Sequence, residues 1–530
     1  MKYFAVIGIL ILLILTGCGI GKVLSKRQVR TMPEQIISRF SSGVSGEALY
    51  QEITNYSSFS NWAEKGKIAE YFLPVNDTLN APFYVLVPKT YSHEKPMPLM
   101  IYLHGGVGRE DFATGVKQHL EEKAYNWYLS SDIGDEFIHL IPLSNKECMW
   151  WDPTGFEMVL EQIKFLKARL NIDDNRVYIS GFSDGASGAY HFALVHSSPF
   201  AGLLPMNGFI SVGASMSNRN VYIRNLANRA LYAVNTDKDG LYPASAARVA
   251  HLLVKRAKGL HFWKEIKGYG HDDGYMDAEL PNIMKFIHGC NRNPFQLRVI
   301  LETDILMSDV SAQRGAVCDW LEITVLDTLQ APADWHVDYQ DSIAISRITI
   351  GFHIDDSFEG SGVKVKSIAE GEPQDVPARN AGLLAGDIIT ALNGQVTKTT
   401  EDIYKVKSTM RLGDSFTMTV LRDDKTLKLN GKLPPIRYSN LFKYTNPSGA
   451  IIAGYRDNTF HLKTSRVLGF RIKINPEMVD INRPVRVIVN DEIRFAGVVD
   501  YNDNYMLEQF NASLDRKAVW IDSIEIFLHD

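Results

Sequence analysis

Cysteine is scarce in this chain, which has only four in 530 residues. No two of them stand at the short spacing at which thiolates bind a structural zinc ion, so we expect no structural metal site. Cys18 lies near the N-terminus, and Cys148, Cys290 and Cys318 belong to the part that must fold. Three is an odd number, so at most one disulfide bond forms and one thiol stays free.

A strong excess of charge of either sign is also missing. The formal net charge is -5 at pH 7, charged residues make up 22% of the chain, and no long basic run occurs. Nucleic-acid binding depends on concentrated positive charge, so we expect no nucleic acid among the partners. A hydrophobic fraction of 45% is typical of globular proteins, and a chain of this length has room for about three domains.

Long apolar runs are absent except for Phe4 to Leu15, which at about a dozen residues is too short to span a bilayer comfortably. It fits the core of a signal peptide and ends in Leu15-Thr16-Gly17-Cys18, which resembles the lipobox of bacterial lipoproteins. The resemblance implies that Cys18 is acylated and anchors the chain to a membrane of the bacterial cell envelope. Gly19 in place of Asp implies the outer membrane. An uncleaved N-terminal anchor helix is the alternative.

Between about Asp77 and Cys290, short apolar runs alternate with amphipathic helical patterns. The clearest helical pattern runs from Phe156 to Leu170, with apolar residues on one stripe. This alternation predicts a mostly parallel sheet with helices on both faces. The predicted strands are Phe83–Val87, Leu99–Leu103, Phe137–Ile141, Val177–Ile179, Gly202–Met206, Leu231–Val234 and Phe262–Ile266.

The pentapeptide Gly181-Phe182-Ser183-Asp184-Gly185 stands between a predicted strand and a predicted helix. This context is similar to the nucleophile elbow of α/β-hydrolases, in which glycines allow a sharp turn and expose the serine hydroxyl. By itself the pentapeptide is equally compatible with an ordinary turn. A catalytic role for Ser183 therefore depends on an oxyanion hole, an acid and a histidine occurring in the right order.

Leu103-His104-Gly105-Gly106-Val107 follows another predicted strand. It resembles the His-Gly-Gly motif of lipases and esterases, whose glycines let backbone N–H groups approach a developing oxyanion. The resemblance implies that the amides of Gly106 or Val107, together with the amide of Asp184, form the oxyanion hole. We expect His104 to be structural. A glycine-rich turn capped by this histidine is the alternative.

The acid and the base are expected in the loops after the last two strands. In the stretch from Asn235 to Pro243, resemblance to the family pattern of an aspartate four positions before a proline implies Asp239, with Asp237 as the alternative. Gly270-His271 matches the family's Gly-His ending and implies His271 as the base. Ser183, Asp239 and His271 then follow the α/β-hydrolase order, and this chemistry requires neither a metal nor a cofactor.

Two adjacent tryptophans, Trp150 and Trp151, lie in the crossover before the serine strand. We expect them to form an aromatic wall of the substrate pocket. Packing at a domain interface is the alternative.

From Ala81 to Gly289, these motifs resemble secreted bacterial esterases of the feruloyl-esterase and polyhydroxybutyrate-depolymerase type, some of which are described as predicted peptidases. The resemblance implies a serine hydrolase that forms an acyl-enzyme, with carboxylic esters favoured as substrates. A serine peptidase and a non-catalytic envelope scaffold are the alternatives. Asp184 departs from the small residue that many of these enzymes carry after the serine, which leaves the shape of the acyl pocket open.

A second set of motifs lies between about Ser346 and Lys432. Ala381-Gly382-Leu383, Gly386-Asp387-Ile388-Ile389 and Asn393-Gly394 stand at a spacing that resembles bacterial protease-associated PDZ domains. The resemblance implies that Ile350, Gly351 and Phe352 offer backbone amides to the C-terminal carboxylate of a peptide partner, which adds a strand beside them. A PDZ fold used only as a spacer or lid is the alternative.

Helical periodicity disappears after Cys290, and short alternating runs on both sides of the PDZ segment predict β-strands. These flanking parts resemble two halves of one small β domain into which the PDZ unit is inserted. The predicted fold class is therefore α/β, an α/β-hydrolase catalytic domain followed by a small β-rich domain that a PDZ domain interrupts. The expected divisions are a lipoprotein signal peptide at 1–17, a tether and helical preface at 18–75, the α/β-hydrolase domain at 76–292, the first half of the β domain at 293–342, the PDZ domain at 343–434 and the second half at 435–530.

Overall fold

The computed structural model describes residues 22–23, 40, 43–76, 79–112, 133–217, 219–304, 315–345, 348–371, 376–442 and 444–528. The predicted signal peptide and Cys18 lie outside these ranges, and so does most of the predicted tether. Within them, no helix is both long enough and apolar enough to cross a membrane. Anchoring through Cys18 stays a prediction.

A nine-stranded sheet lies at the centre of the N-terminal part. Its strands are β1 Lys22–Val23, β2 Ile68–Pro74, β3 Asn80–Leu86, β4 Met97–Leu103, β5 Ile138–Pro142, β6 Ile172–Phe182, β7 Gly202–Met206, β8 Ala230–Thr236 and β9 His261–Ile266. They lie in the order β1-β2-β3-β5-β4-β6-β7-β8-β9. β3 is antiparallel to both of its neighbours, whereas all pairs from β5 to β9 are parallel. The seven predicted strands coincide with β3 to β9.

β2 lies in the segment predicted as a tether and helical preface, and for this stretch the prediction is wrong. All seven of its residues pair with β3, from Ile68 opposite Leu86 to Pro74 opposite Asn80. Tyr71 is buried while its neighbours in the strand are half-buried, as expected where one face of a strand packs on a core.

Helices cover both faces of this sheet, because alternate residues of its strands point to opposite sides. Leu99 and Ile101 of β4 belong to one apolar core, and Met100 and Tyr102 belong to the other. The helices of this part are α1 Gly46–Thr54, α2 Pro153–Lys167, α3 Asp184–Val195, α4 Val212–Ser217, α5 Ala244–Arg256 and α6 Met276–Gly289, with 3₁₀ turns at Gly134–Glu136 and Ile223–Ala227. The second and fifth of these helices contribute to the first core and the sixth to the second.

Beyond α6 the chain forms strands, as the loss of helical periodicity predicts. The first three are β10 Arg298–Thr303, β11 Val317–Cys318 and β12 Leu321–Leu326. The main pairing partners of β10 and β12 come from much later in the chain, after residue 448. An inserted unit therefore has room between β12 and these later strands.

The inserted unit begins with β13 Ser342–Ile345. It then contains β14 Phe352–Ile354, β15 Val363–Ile368, α7 Pro377–Asn380, β16 Ile388–Leu392, β17 Gln395–Val396, α8 Thr400–Lys407, β18 Ser415–Arg422 and β19 Lys425–Lys432. A last strand, β20 Arg437–Asn440, pairs antiparallel with β13, so that Ser342 lies opposite Asn440. The chain therefore enters and leaves the unit at one place, which is how insertions are tolerated.

The second half of the β-rich part supplies β21 Gly449–Arg456, β22 Thr459–Ser465, β23 Val467–Ile474, β24 Val485–Val489, β25 Glu492–Gly497, α9 Asp503–Ser513 and β26 Asp522–Phe527. β21 pairs with β10 and β23 pairs with β12, so the two halves share both of their sheets. Trp320 and Phe470 are fully buried in the common core. The predicted β domain with an interrupting unit is confirmed.

Buried ion pairs join the N-terminal part to the β domain. Arg292, just after α6, forms a bidentate pair with Asp515, with N–O distances of 2.5 and 2.9 Å. Arg224 Nε lies 2.9 Å from Glu302 of β10. A buried charge that loses its partner is strongly destabilising, so these contacts fix how the two parts meet.

The three cysteines of the folded part are unpaired. Cys148 and Cys318 are buried, and Cys290 is half-buried. The one disulfide bond that their number allows is thus not formed among them. The part of the chain that the structure describes also brings together no group of three or more His, Cys, Asp or Glu side chains that could hold a metal ion.

Candidate active site

Ser183 occupies a strained turn between β6 and α3. Its backbone has φ 60° and ψ -122°, a conformation that L-residues rarely adopt. Glycine is required on both sides of the serine. A Cβ on Gly181 would lie 2.3 Å from the carbonyl carbon of Gly185, and a Cβ on Gly185 would lie 1.9 Å from the carbonyl oxygen of Leu103. The turn therefore holds the serine hydroxyl at the carboxyl end of the central strand.

Ser183, His271 and Asp239 form a chain of hydrogen bonds. His271 follows β9, and its Nε2 lies 2.8 Å from Ser183 Oγ. Its Nδ1 lies 2.8 Å from Oδ2 of Asp239, which follows β8. The side chain of His271 is 19% exposed and that of Asp239 is 0% exposed. The imidazole thus bridges a buried carboxylate and a hydroxyl that borders solvent.

The surroundings of Asp239 keep its carboxylate ionised. Burial by itself raises the pKa of this group, but hydrogen bonds from His271 and from the amides of Tyr242 and Leu241 outweigh it and leave the pKa below its usual value. Both amides donate to Oδ1 at 2.8 Å. Asp237, the alternative acid, instead accepts a hydrogen bond from the Gly268 amide at 2.7 Å and caps that turn. The structure brings Asp239, and not Asp237, to the histidine.

The glycine loop after β4 lies against the serine. A Cβ on Gly105 would come within 2.9 Å of Ser183 Cβ, and Gly106 has φ +67°. Within the described ranges no acceptor contacts the Gly106 amide, and Asp184 opens α3, where a backbone N–H has no partner in its own helix. These two predicted oxyanion donors are therefore placed beside the serine.

Val107, the third predicted donor, does not fit that role. Its amide donates a hydrogen bond to Oδ2 of Asp184 at 3.1 Å. An amide that is already bonded to a carboxylate cannot also stabilise an oxyanion. The motif leaves Gly106 and Val107 as alternatives, and the geometry favours Gly106.

His104 is structural, as expected. It is fully buried, its Nε2 accepts a hydrogen bond from the Ser144 amide at 3.0 Å, and its Nδ1 lies 2.8 Å from the Gly105 carbonyl. Burial lowers the pKa of His104 to about 4, so the ring is neutral and donates from Nδ1. It fixes the glycine loop and takes no proton from the serine.

Trp150 and Trp151 do not form an open aromatic wall, and that prediction is wrong. They are 0% and 2% exposed. Trp150 Nε1 donates to the His104 carbonyl at 2.9 Å, and its ring meets the His104 ring edge-on. Trp150 therefore supports the loop that contains His104 from inside the core. Because its ring is buried, it does not face a substrate pocket.

Other aromatic rings, which the sequence reasoning missed, surround the histidine. The ring centroids of Phe182 and Tyr242 lie 5.2 and 5.5 Å from that of His271. Phe209 stacks on Tyr242 at 6.5 Å. Phe182 directly precedes Ser183, and Tyr242 follows Asp239 by three positions. This closeness in sequence to the predicted site residues was the one signal that could have identified them.

Asn207 is a further residue of the site that the sequence reasoning missed. It follows β7, is fully buried and has φ +51°. Its Nδ2 donates to Oδ2 of Asp239 at 3.2 Å and to Thr236 Oγ1 at 2.7 Å, and its Oδ1 accepts a hydrogen bond from Tyr275 at 2.7 Å. An asparagine directly after a strand also suits an ordinary turn, so the pattern alone gives no hint of this role.

The predicted carboxylate loop of the inserted unit lies at the start of β14. Gly351 has φ +89°, Ile350 is buried, and their carbonyls accept hydrogen bonds from Ala369 and Ala378 at 3.0 and 2.7 Å. β14 stands at the end of its sheet, with β15 as its neighbour within the described ranges. Hydrogen bonds to its carbonyls thus hold the loop in place. The loop lies next to the edge of β14 that pairs with no strand of the described ranges.

The sheet order, the turn after β6 and the placement of Asp239 and His271 after β8 and β9 are those of the α/β-hydrolase fold. Residues 347–433 match the family of PDZ domains. The predicted combination of an α/β-hydrolase fold with an inserted PDZ domain is confirmed.

Relatives are similar to parts of the chain only. Over 129 residues, or 24% of this chain, it is 29% identical to a bifunctional acetylxylan esterase/xylanase of Neocallimastix patriciarum, and the match covers 18% of that protein. A solved thermostable esterase aligns with 42% of this chain and 63% of its own, at 18% identity and a TM-score of 0.34. Pyrococcus horikoshii acylaminoacyl peptidase aligns with 43% of this chain and 42% of its own, at 12% identity and a TM-score of 0.34. The chain thus spans less than two thirds of each relative, and the two structural likenesses, with TM-scores of 0.34, do not indicate a substrate.

Proposed function

We propose that this chain is a serine hydrolase that cleaves carboxylic esters through an acyl-enzyme. The observation that carries the proposal is the unbroken hydrogen-bond chain from Ser183 Oγ through His271 to Asp239, each step 2.8 Å long. A nucleophile, a base and an orienting acid at these distances are the usual machinery of acyl transfer.

In the proposed first step, Ser183 Oγ attacks the acyl carbon while its proton moves to Nε2 of His271. The new C–O bond forms as the carbonyl π pair moves onto oxygen, and the amides of Gly106 and Asp184 stabilise the resulting charge. Asp239 holds the Nδ1–H tautomer and stabilises the imidazolium. His271 then gives the proton to the departing alcohol as the tetrahedral intermediate collapses to the acyl-enzyme.

Water completes the cycle by the same route in reverse. His271 takes a proton from a water molecule, the hydroxide attacks the acyl-serine, and the same amides hold the second oxyanion. Collapse of this intermediate releases the carboxylic acid and returns the proton to Ser183 Oγ. The strained backbone at Ser183 keeps the hydroxyl in place for both attacks.

Esters are favoured because the residues from Ala81 to Gly289 resemble esterases, and the curated relative is named as an acetylxylan esterase. A serine peptidase is the second candidate. The PDZ domain carried by the same chain suits the presentation of peptide C-termini. The same three side chains serve either reaction, so the leaving group must be found by assay.

The cellular setting and the partners of this activity are also proposals. Acylation of Cys18 would tether the enzyme to the bacterial outer membrane. The open edge of β14 would add a peptide strand whose terminal carboxylate meets the amides near Gly351. The proposed partners are thus an ester or peptide substrate, a peptide C-terminus and a membrane.

A Ser183→Ala variant tests the proposal. We expect the unchanged chain to hydrolyse p-nitrophenyl esters and to be labelled by a fluorophosphonate, and the variant to do neither above background. Ser408→Ala, an exposed serine of the PDZ unit, is the matched control and should behave as the unchanged chain does. Faster cleavage of p-nitroanilides than of esters would favour the peptidase. If the unchanged chain is not labelled and hydrolyses esters no faster than Ser183→Ala, the chain is a non-catalytic scaffold.

A further inference from the structure

We propose that the side chain of Asp184 is a positioning residue, which ties the loop of the oxyanion donors to the loop of the catalytic acid. The inference rests on the proposed serine hydrolase function. We call residues 104–107 the glycine loop and residues 237–243 the acid loop. Asp184 belongs to neither loop, because it is the first residue of α3.

The carboxylate of Asp184 contacts both loops at once. Its Oδ2 accepts a hydrogen bond from the Val107 amide at 3.1 Å, and its Oδ1 accepts one from the Tyr242 hydroxyl at 3.0 Å. The two loops follow β4 and β8, which are separated in the sheet by β6 and β7. A side chain on the helix after β6 is therefore well placed to bridge them.

Tyr242 carries the connection further to the acid and the base. Its backbone amide donates to Oδ1 of Asp239 at 2.8 Å, and its ring meets the His271 ring edge-on. Burial and then the charge of Asp184 raise the pKa of Tyr242 far above its usual value. Its hydroxyl thus stays protonated and keeps donating to Asp184.

The bridge acts on the position of the Gly106 amide, which directly precedes Val107 in the glycine loop. If the Val107 amide loses its acceptor, the loop is free to turn and the Gly106 N–H no longer points at the oxyanion. The oxyanion exists only in the transition state and the tetrahedral intermediates, so misplacement slows the chemical step and leaves substrate binding unchanged. Both oxygens of Asp184 are already hydrogen-bonded, which is why we assign it positioning and not proton transfer.

Three variants separate this role from mere packing. Asp184→Ala removes both hydrogen bonds, and Tyr242→Phe removes only the one from the acid loop to Asp184. Asp184→Asn is the conservative variant, because its carbonyl can accept from Val107 while its amide donates to the Tyr242 oxygen. Tyr404→Phe, an exposed tyrosine of the PDZ unit, is the matched control. All are measured in the full chain by p-nitrophenyl ester kinetics and by the rate of fluorophosphonate labelling.

We expect Asp184→Ala to lower kcat by about 10-fold to 100-fold with KM unchanged, because a small misplacement of an oxyanion donor has an effect of that order. Tyr242→Phe should lower kcat less, and the double variant should be no slower than Asp184→Ala. Asp184→Asn should recover most of kcat. If Asp184→Ala fails to fold, the other two variants still test the bridge.

A strictly additive double variant, a change confined to KM, or an Asp184→Asn variant as slow as Asp184→Ala would overturn the bridge. An unreactive Ser183 in the unchanged chain would overturn the proposed function, and the inference with it. A reactive Ser183 with variants that match the unchanged chain would overturn the inference alone.

Discussion

The side-chain amide of Asn207 lies 3.2 Å from Oδ2 of Asp239, the same oxygen that pairs with Nδ1 of His271. Asn207 also donates to Thr236, whose hydroxyl donates to the Gly270 carbonyl at 2.5 Å. Asn207 is fully buried. One asparagine thus connects the loop that contains Asp239 with the loop that contains His271.

Replacing Asn207 with alanine should lower kcat/KM for a p-nitrophenyl ester about 10-fold, because a hydrogen bond to a charged group contributes roughly 1.5 kcal/mol. The loss should fall on kcat, since no contact with the substrate is removed. Steady-state kinetics measure the effect, with the exposed Asn291→Ala as control. Kinetics identical to those of the unchanged chain would show that Asp239 and His271 align without Asn207.

Stability should depend strongly on Asp515, which pairs with Arg292 and Lys167 at the junction with the β domain. Asp515→Asn leaves the buried Arg292 without its carboxylate partner, whereas Lys167 keeps Asp174 at 2.8 Å, and we expect a loss of about 3 kcal/mol in the free energy of unfolding at pH 7. Denaturant unfolding measures it. The control is Asp480→Asn, from an exposed pair with Arg483, which should lose much less stability because solvent screens that pair. Equal losses would contradict the expected contribution of burial.

The same carboxylate makes stability depend on pH. Burial raises the pKa of Asp515, but Arg292 and Lys167 outweigh burial and hold the pKa well below its usual value. A pKa that is lowered by folding stabilises the folded state above the unfolded pKa, and this contribution is lost as pH falls toward the folded pKa. The unchanged chain should therefore lose stability below about pH 4 more steeply than Asp515→Asn does. Parallel pH curves would contradict this assignment.

Much of the candidate site could be predicted because its parts are local. Ser183, Asp239 and His271 each follow a strand with a recognisable apolar run, and chain order alone identifies their shared edge of the sheet. The contact of Asp184 with Val107 spans 77 positions and depends on side-chain direction, which no spacing rule supplies. The sequence therefore could not show that the Val107 amide is hydrogen-bonded to Asp184.

The errors have similar causes. Adjacent tryptophans are visible in the sequence, but whether Trp150 faces a pocket or the core depends on the elements packed around it. The strand Ile68–Pro74 was missed because most of its residues are only half-buried, which weakens the alternation that marks a strand.

The three cysteines should differ in their reactivity with iodoacetamide. Burial raises the pKa of the thiols of Cys148, Cys290 and Cys318, so all three should react more slowly than a free thiol. Only Cys290 is half-buried, and we expect it to be modified first in the folded chain. Peptide mass spectrometry before and after unfolding measures the order. Rapid modification of Cys318 in the folded chain would contradict its burial.

The inserted PDZ unit should bind peptides through their free C-terminal carboxylate, and Gly351 should be required for it. Gly351 has φ +89°, and a Cβ there would lie 2.9 Å from a methyl group of Val376. A side chain at positive φ costs about 1–2 kcal/mol, and this contact adds to the strain. The loop must shift to accept a valine, and its amides then lose their alignment with the peptide carboxylate.

Binding is measured by fluorescence anisotropy on the full chain with one peptide in free-acid and amidated forms. We expect amidation and Gly351→Val each to weaken binding at least 10-fold, about 1.4 kcal/mol, which is of the order of one charge-assisted hydrogen bond. Gly413 has the same φ of +89°, and a Cβ there would meet no atom within 4 Å. Gly413→Val therefore introduces the same backbone strain away from the loop and should leave binding unchanged. Equal affinity for the two peptide forms would mean that the carboxylate is not recognised, and that the unit serves as a spacer or lid.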